Sequence, residues 1–412
     1  MGNQNASHTS TLFQSLKELP IPFWQHQCIL NKDELLICGG WNQKNCYSYH
    51  TLKNKYKFIC KYPTDTLLGH CVVKLVENGN NNKDINQITL LSFGGFYKHT
   101  LMMKYVSVWN ENKMNKSKKL KTSNNYNEWI PFTDNHNNPI IIGRYEDNYW
   151  GARAVIGGSN SHLLFITYRD KNISIFNLNT FQFIKHDTLP ADNVIFYHCF
   201  VSTPENGQGQ KMIKTNKKIY EMILFCKNTG LSIEYDEDNN TLQFHQLPIC
   251  DDIEPLFAYA YVRINDIILF FGGYNHIYSK LVCQYSIQEK TWITFKHTLP
   301  IPLYHCIGIL NKNNNCIHII GGNNDKHITV STHMKTKISE WRNASNLVIS
   351  IFNTFVIFYF FIIKYDYILL YKTEQSNNEI RLIIQYWIQI LKIKLGWIDS
   401  FDKIIIKYIR IS

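Results

Sequence analysis

Leu35–Gly40 reads LLICGG, a short apolar run ending in a pair of glycines. The same figure returns as LLSFGG at Leu90–Gly95, LFFGG at Leu269–Gly273 and IHIIGG at Ile317–Gly322. Each copy leads through polar residues into a second strand-like run with an aromatic near its end. A glycine pair closing a strand supplies positive φ and lets a neighbouring backbone come close. Recurrence of this layout at about 50 residues points to the blades of a β-propeller rather than to a catalytic loop. Gly39, Gly40, Gly94, Gly95, Gly272, Gly273, Gly321 and Gly322 are therefore read as structural marks of a repeat.

The glycines also count the blades. Gly39 to Gly94 spans 55 residues and Gly272 to Gly321 spans 49, whereas Gly94 to Gly272 spans 178. That gap holds two further units without the mark. HLLFITYRD at His162–Asp170 parallels LLSFGG with Thr167 and Tyr168 at the glycine positions, and EMILFCKNTG at Glu221–Gly230 does so with Cys226 and Lys227. Gly157–Gly158 lies between two strand-like runs and is read as a turn. The blades then run over about 21–66, 67–134, 144–190, 194–248, 255–300 and 301–341. In several units an aromatic late in the third strand, c, is matched seven residues on: Tyr49 and Tyr56, Phe176 and Phe183, Tyr285 and Trp292. In the second blade the corresponding pair is Trp109 and Trp129. Aromatics at fixed places in successive blades can pack sheet against sheet.

Diglycine, then Tyr, then Trp, in blades of this length, resembles the kelch repeat family over roughly residues 11–341. The resemblance is strong in blades 1, 2, 5 and 6 and weaker in 3 and 4. It implies an all-β, six-bladed kelch-type propeller of four-stranded antiparallel blades, akin to the galactose-oxidase and kelch-like propellers. TLFQSLKELP at Thr11–Pro20 aligns without gaps on TWITFKHTLP at Thr291–Pro300, an outer strand. LPIPFWQHQCILNK and LPIPLYHCIGILNK also align without gaps. Residues 11–20 are expected to close the ring as the outer strand of blade 6, with KISEW at Lys337–Trp341 as the alternative.

Bulk composition narrows the class. The 412 residues are 45% hydrophobic, 18% charged and 14% aromatic, and carry a net charge of +11, which suits a globular chain with a large core. Eleven scattered cysteines with no CxxC pair point to a reducing, cytoplasmic setting. Residues 1–10 read as a flexible polar terminus without a secretory signal. The chain begins Met-Gly, but Ala6 stands where a myristoylation pattern wants Ser or Thr.

Three histidines repeat near the start of the innermost strand: His70 in GHC, His198 in YHC and His305 in a second YHC. Gln25 aligns on His305 in blade 1, and Tyr259 fits it in blade 5. These histidines are candidates for lining the central channel, where imidazoles could hold a metal or an anion. The alternative is a repeated structural residue bonding the backbone of a neighbouring blade. Three such positions around a ring stand far apart and bring no carboxylate, so neither metal nor cofactor is expected. Copper radical oxidases share the kelch propeller, so an enzyme of that type is one alternative. It would need an ordered set of tyrosines, histidines and a cross-linked cysteine that the sequence does not display. P-loop, GxSxG, HExxH and GxGxxG motifs are absent.

The blades carry insertions at Glu77–Gln87, Asn110–Asn127 and Ser202–Lys218. The middle one holds five lysines and Tyr126 as its only aromatic, which suits a solvated loop better than a nucleic-acid surface. On the opposite face, Trp41, Phe96, Tyr97, Tyr274 and His276 follow the diglycines and are candidate partner-binding residues. After the propeller, 343–375 is a hydrophobic segment whose stretch 343–363 is uncharged and long enough for a membrane helix. Residues 376–412 read as an amphipathic helical tail that could dock on the propeller or on a membrane. The sequence thus suggests a non-catalytic scaffold for an unknown protein partner, with a membrane-tethered propeller as the second reading.

Overall fold

The computed structural model describes residues 12–63, 67–76, 87–109, 125–203 and 218–341. The chain divides into two compact units, Met1–Ala344 and Ser345–Ser412. The hydrophobic segment, the amphipathic tail, the N-terminal residues 1–10 and most of the three insertions lie outside the described residues. Among the described residues no helix is long and apolar enough to cross a membrane.

Six four-stranded antiparallel sheets make up the first unit. After a short leading strand β1 (Gln14–Ser15), the first sheet is β2 (Gln27–Asn31), β3 (Glu34–Gly40), β4 (Gln43–His50) and β5 (Lys55–Lys61). The second is β6 (His70–Leu75), β7 (Gln87–Gly94), β8 (His99–Val106) and β9 (Ile130–Pro131). The third is β10 (Arg153–Gly157), β11 (Leu163–Tyr168), β12 (Asn172–Asn177) and β13 (Gln182–Thr188). The fourth is β14 (Cys199–Ser202), β15 (Ile219–Cys226), β16 (Thr229–Asp236) and β17 (Thr241–Gln246). The fifth is β18 (Ala260–Ile264), β19 (Ile267–Phe271), β22 (Val282–Ser286) and β23 (Thr291–Thr294). A two-stranded hairpin, β20 (Tyr274–Asn275) and β21 (Ile277–Tyr278), interrupts it. The sixth is β24 (Ile307–Asn311), β25 (Cys316–Ile320) and β26 (His333–Lys337), with β1 as its outer strand, Gln14 opposite Lys335. This is a six-bladed, all-β propeller in which residues from the two ends of the first unit share one sheet.

The second strand of the blade is buried along its whole length in β3, β11, β19 and β25, and β7 and β15 are buried along the half that ends at the joint. A strand covered on both faces by neighbouring blades has no solvent side, so it reads as a continuous apolar run instead of an alternating one. Six hydrophobic clusters fill the six gaps between blades. The cluster of Leu19, Phe23, Leu35, Ile37, Tyr49 and Ile320 joins blade 6 to blade 1. Hydrogen bonds from Asn311 Nδ2 to Thr51 Oγ1 (3.3 Å) and from Asn313 Nδ2 to Asp33 Oδ1 (3.0 Å) cross the same gap.

The glycine pairs have a division of labour. A Cβ on the first glycine would strike the next blade: 2.2 Å from Leu303 O at Gly272 and 2.5 Å from Phe23 O at Gly321. The second glycine lies against the loop of its own blade, and its N–H donates to the next one. Gly273 donates to Leu303 O, Gly322 to Phe23 O (both 2.8 Å) and Gly95 to Tyr149 O (3.3 Å). In blade 3 the register Arg153↔Thr167 puts Tyr168 and Arg169 at these positions, one residue beyond Thr167 and Tyr168. In blade 4, Cys226 and Lys227 occupy them. Gly157 ends β10 and Gly158 opens the turn after it.

Tyr49–Tyr56, Phe176–Phe183 and Tyr285–Trp292 are cross-strand ring pairs with centroids 4.8, 5.1 and 5.0 Å apart. Trp109 and Trp129 do not form such a pair. Trp129 stacks on Tyr62 at 4.6 Å, while Trp109 Nε1 donates to Ser48 Oγ of blade 1.

Candidate functional site

Every blade enters its innermost strand through one residue of left-handed conformation: Gln25, Gly69, Gly151, Tyr197, Ala258 and His305, with φ between 48° and 75°. Four of these are not glycine, a conformation that costs about 1–2 kcal/mol per residue. They form a ring about the axis. Gly151 N–H donates to Gly69 O (2.9 Å), Tyr197 to Gly151 O (2.8 Å), Ala258 to Tyr197 O (3.3 Å) and His305 to Ala258 O (2.7 Å). These bonds between successive blades offset the backbone strain and hold the inner loops in place.

This ring corrects the histidine register. His305 belongs with Gln25, Gly69, Gly151, Tyr197 and Ala258, whereas His70 and His198 come one position later, level with His26, Ala152, Tyr259 and Cys306. His70 and His198 do not line the channel. Both are fully buried between blades; His70 Nε2 bonds Cys38 O (3.2 Å) and His198 Nε2 bonds Thr167 Oγ1 (2.6 Å), each in the preceding blade. Burial, reinforced by His99 at His70 and by Arg153 at His198, holds both rings far below the usual imidazole pKa. They fasten blade to blade, because the buried start of strand a faces its neighbour, not the axis. His305 stands at the axis, its ring 4.3 Å from that of Tyr197, with burial and then Arg153 lowering its pKa to about 3. It is a neutral ring packed edge-on against Tyr197 and Trp24. Among the described residues no group of histidines, cysteines and carboxylates has the arrangement of a metal site.

Tyr197 closes the channel. Its phenol donates to Gln25 Oε1 (2.7 Å) on the opposite blade, and a Cβ at Gly69 would lie 2.6 Å from its oxygen. The guanidinium of Arg153 lies 5.7 Å from its ring centroid. One side chain of blade 4 thus touches blades 1, 2, 3 and 6.

Directly above the ring, the residue before each left-handed position forms a crown: Trp24, Leu68, Trp150, Phe196, Phe257 and Tyr304. The residues following the diglycines hydrogen-bond to it through the backbone. Trp41 N–H donates to Trp24 O (3.1 Å), Phe96 to Leu68 O (2.9 Å), Tyr274 to Phe257 O (2.9 Å) and Asn323 to Tyr304 O (2.9 Å). Trp41 stacks on Trp24 at 4.4 Å, Phe96 meets Trp150 at 6.1 Å, and Tyr274 bridges Phe257 (5.7 Å) and Tyr304 (5.2 Å). Trp24 meets Tyr304 at 6.4 Å and Phe196 meets Phe257 at 5.1 Å. An arc of rings therefore runs nearly round one end of the propeller.

In the two blades without glycine pairs, cations take the place of outer aromatics. Arg169 lies over Trp150 (5.1 Å) and Phe196 (5.8 Å), and Lys227 over Phe196 (5.9 Å) and Phe257 (5.0 Å). Cation–π contacts at partly exposed rings contribute about 0.5–1 kcal/mol each. Of the five residues singled out in the sequence, Trp41, Phe96 and Tyr274 sit on the crown. Tyr97 is exposed beside Phe96 (4.9 Å), and His276 is exposed at the tip of the β20–β21 hairpin, 6.2 Å from Tyr274. The inner ring of the crown escaped sequence reading because its residue types differ from blade to blade. The paired aromatics at Phe23–Trp24, Tyr149–Trp150 and Phe196–Tyr197 were its only signal.

Ring closure, the diglycine joints and the aromatic crown together define a kelch-type propeller. No family model matches the chain, and no curated protein does. A solved structure titled "Structure of YjhT" is similar at 12% identity, over 77% of this chain and 95% of that one, with a TM-score of 0.50. YjhT is itself a kelch-repeat propeller protein, and the likeness is one of fold.

Proposed function

We propose that this chain is a non-catalytic interaction module whose docking surface is the aromatic crown. The observation that carries the reading is the arc of rings from Trp41 through Trp24, Tyr304, Tyr274, Phe257 and Phe196 to Trp150 and Phe96, with Arg169 and Lys227 over its inner members. Large rings anchored by backbone bonds contribute contact area at little entropic cost, which is the character of interface hot spots. Cations over aromatics suit a protein segment that brings apolar side chains together with carboxylates. The eleven cysteines are all free thiols and eight are buried, which supports a reducing, cytoplasmic setting.

The test is affinity capture with the full chain, comparing wild type with Trp41→Ala, Phe96→Ala and Tyr274→Ala, and with Lys74→Ala as a substitution away from the crown. The proposal expects a protein bound by wild type and by Lys74→Ala to be lost from the crown variants. A partner kept by all three crown variants and lost from Lys74→Ala would place the interface elsewhere. Turnover of a small molecule, or copper bound in stoichiometric amount, would overturn the non-catalytic reading.

A further inference from the structure

The six innermost strands read QCILN, HCVVKL, RAVIG, CFVS, AYVRI and IGILN. They hold three cations, Lys74, Arg153 and Arg263, and no carboxylate. Arg263 is occupied: its Nε donates to Asn265 O (3.0 Å) and its Nη1 to Ser202 O. Lys74 is exposed.

Arg153 is placed differently. It opens β10, just inside the Tyr197 plug. Its charge reaches side chains of four other blades. It opposes the burial that pushes the Cys71 thiol up to about 11 and the Tyr261 phenol up to about 12. It opposes burial likewise at Cys199, and adds to it at His305. From the innermost strand of blade 3 its guanidinium faces the ring of Tyr197, the side chain that crosses the axis to Gln25. Arginine stays charged and presents five N–H donors. Among the described residues, Arg153 makes one side-chain hydrogen bond, Nη1 to its neighbour Ala152 O (3.0 Å), and no ion pair. A half-buried guanidinium without a counter-charge has N–H donors left for an anion that brings one.

We propose that Arg153 anchors a small oxyanion, a carboxylate or phosphate group, in the central channel on the inner side of the Tyr197 plug. The planar guanidinium can present two parallel N–H groups to two oxygens of one such group. Tyr197 covers the crown side, so the anion enters from the end of the inner strands that carries Lys74 and Arg263. This site is separate from the crown, and its test does not depend on any protein partner.

The experiment is a thermal-shift and calorimetric titration of the full chain at low, matched ionic strength, with inorganic phosphate, acetate and chloride as separate arms. The site predicts a saturable rise in melting temperature with phosphate or acetate beyond that with chloride, and the more effective arm identifies the oxyanion class. Arg153→Met should weaken that binding at least tenfold, and in oxyanion-free buffer it should melt no lower than wild type, since it removes an unpaired cation. Should Arg153→Met fail to fold, Arg153→Lys keeps the charge, loses the fork and must still bind more weakly. No oxyanion effect beyond chloride, or equal binding by wild type and the variants, would overturn the assignment.

Discussion

Lowering the pH from 7 to 5 should unfold this propeller, and five histidines set the size of the effect. His26, His70, His198, His318 and His333 are at most 2% exposed. Burial holds His26 at about 3 and His318 at about 4, with Lys335 adding to it at His318. His70, His198 and His333 are held well below the usual value by the same cause, with His99 adding to it at His70, Arg153 at His198 and His318 at His333. Their surroundings leave little room for a proton. Among the described residues neither ring nitrogen of His26 has a hydrogen-bond partner, and its ring fills the space over Gly321. His318 Nδ1 meets His333 Nε2 at 2.9 Å, and His333 Nδ1 meets Tyr56 OH at 2.5 Å.

The folded-state pKa of each ring is depressed. Its share of stability is therefore complete above the unfolded value of about 6.5 and is lost as pH falls toward the folded pKa. At pH 5 the unfolded chain has gained about 1.5 pH units of proton binding per ring that the folded chain has not. At 1.36 kcal/mol per unit that is about 2 kcal/mol per ring, and about 10 kcal/mol for the five. Domains are typically stable by about 5–15 kcal/mol. His99 and His305 are only partly buried and do not belong to this group of five. Urea unfolding followed by tryptophan fluorescence at pH 7, 6, 5.5 and 5 measures this directly. The expected result is a midpoint that falls steeply below pH 6.5, with little folded protein left at pH 5. A midpoint unchanged between pH 7 and 5 would refute the reasoning, because the rings would then accept protons in the folded state.

Gly272→Ala should cost about 2–4 kcal/mol, since a methyl there would lie 2.2 Å from Leu303 O at a φ of +69°; a melting temperature within a degree of wild type would deny the joint its role. Phe13→Ala should cost about 3–5 kcal/mol by emptying a site between Phe271 (6.4 Å) and Trp341 (5.7 Å), and amide exchange should rise first in β1 and β26 as the ring opens there.

The blades were legible because their marks are local. A run such as LLSFGG names both a strand buried on two sides and the turn that ends it. The same apolar run identifies blades 3 and 4 without any glycine. Register was less legible. YHC occurs at Tyr197–Cys199 and at Tyr304–Cys306, yet the left-handed residue is Tyr197 in one and His305 in the other. Three shared letters align by eye, but the alignment in space is set by which N–H reaches which carbonyl of the adjoining blade. A one-residue offset of the same kind moved the blade 3 joint to Tyr168 and Arg169. The crown was half visible, in the aromatics after the diglycines. Its inner half was not, because a position filled by Trp, Leu, Phe and Tyr in turn repeats a backbone shape and no residue type.

Strand, turn and blade number follow from contacts between residues close in the chain, so LLICGG and its copies suffice to write the architecture down. The roles at the axis come from closure. Only when Gln14–Ser15 pairs with Met334–Lys335 does the ring become complete, and only then do Tyr197 and Gln25, 172 residues apart, meet across it. Arg153 is an ordinary strand residue in the sequence. It comes to stand without a counter-charge because six strands without a carboxylate converge around it. That convergence is a property of the ring, and no stretch of chain carries it alone.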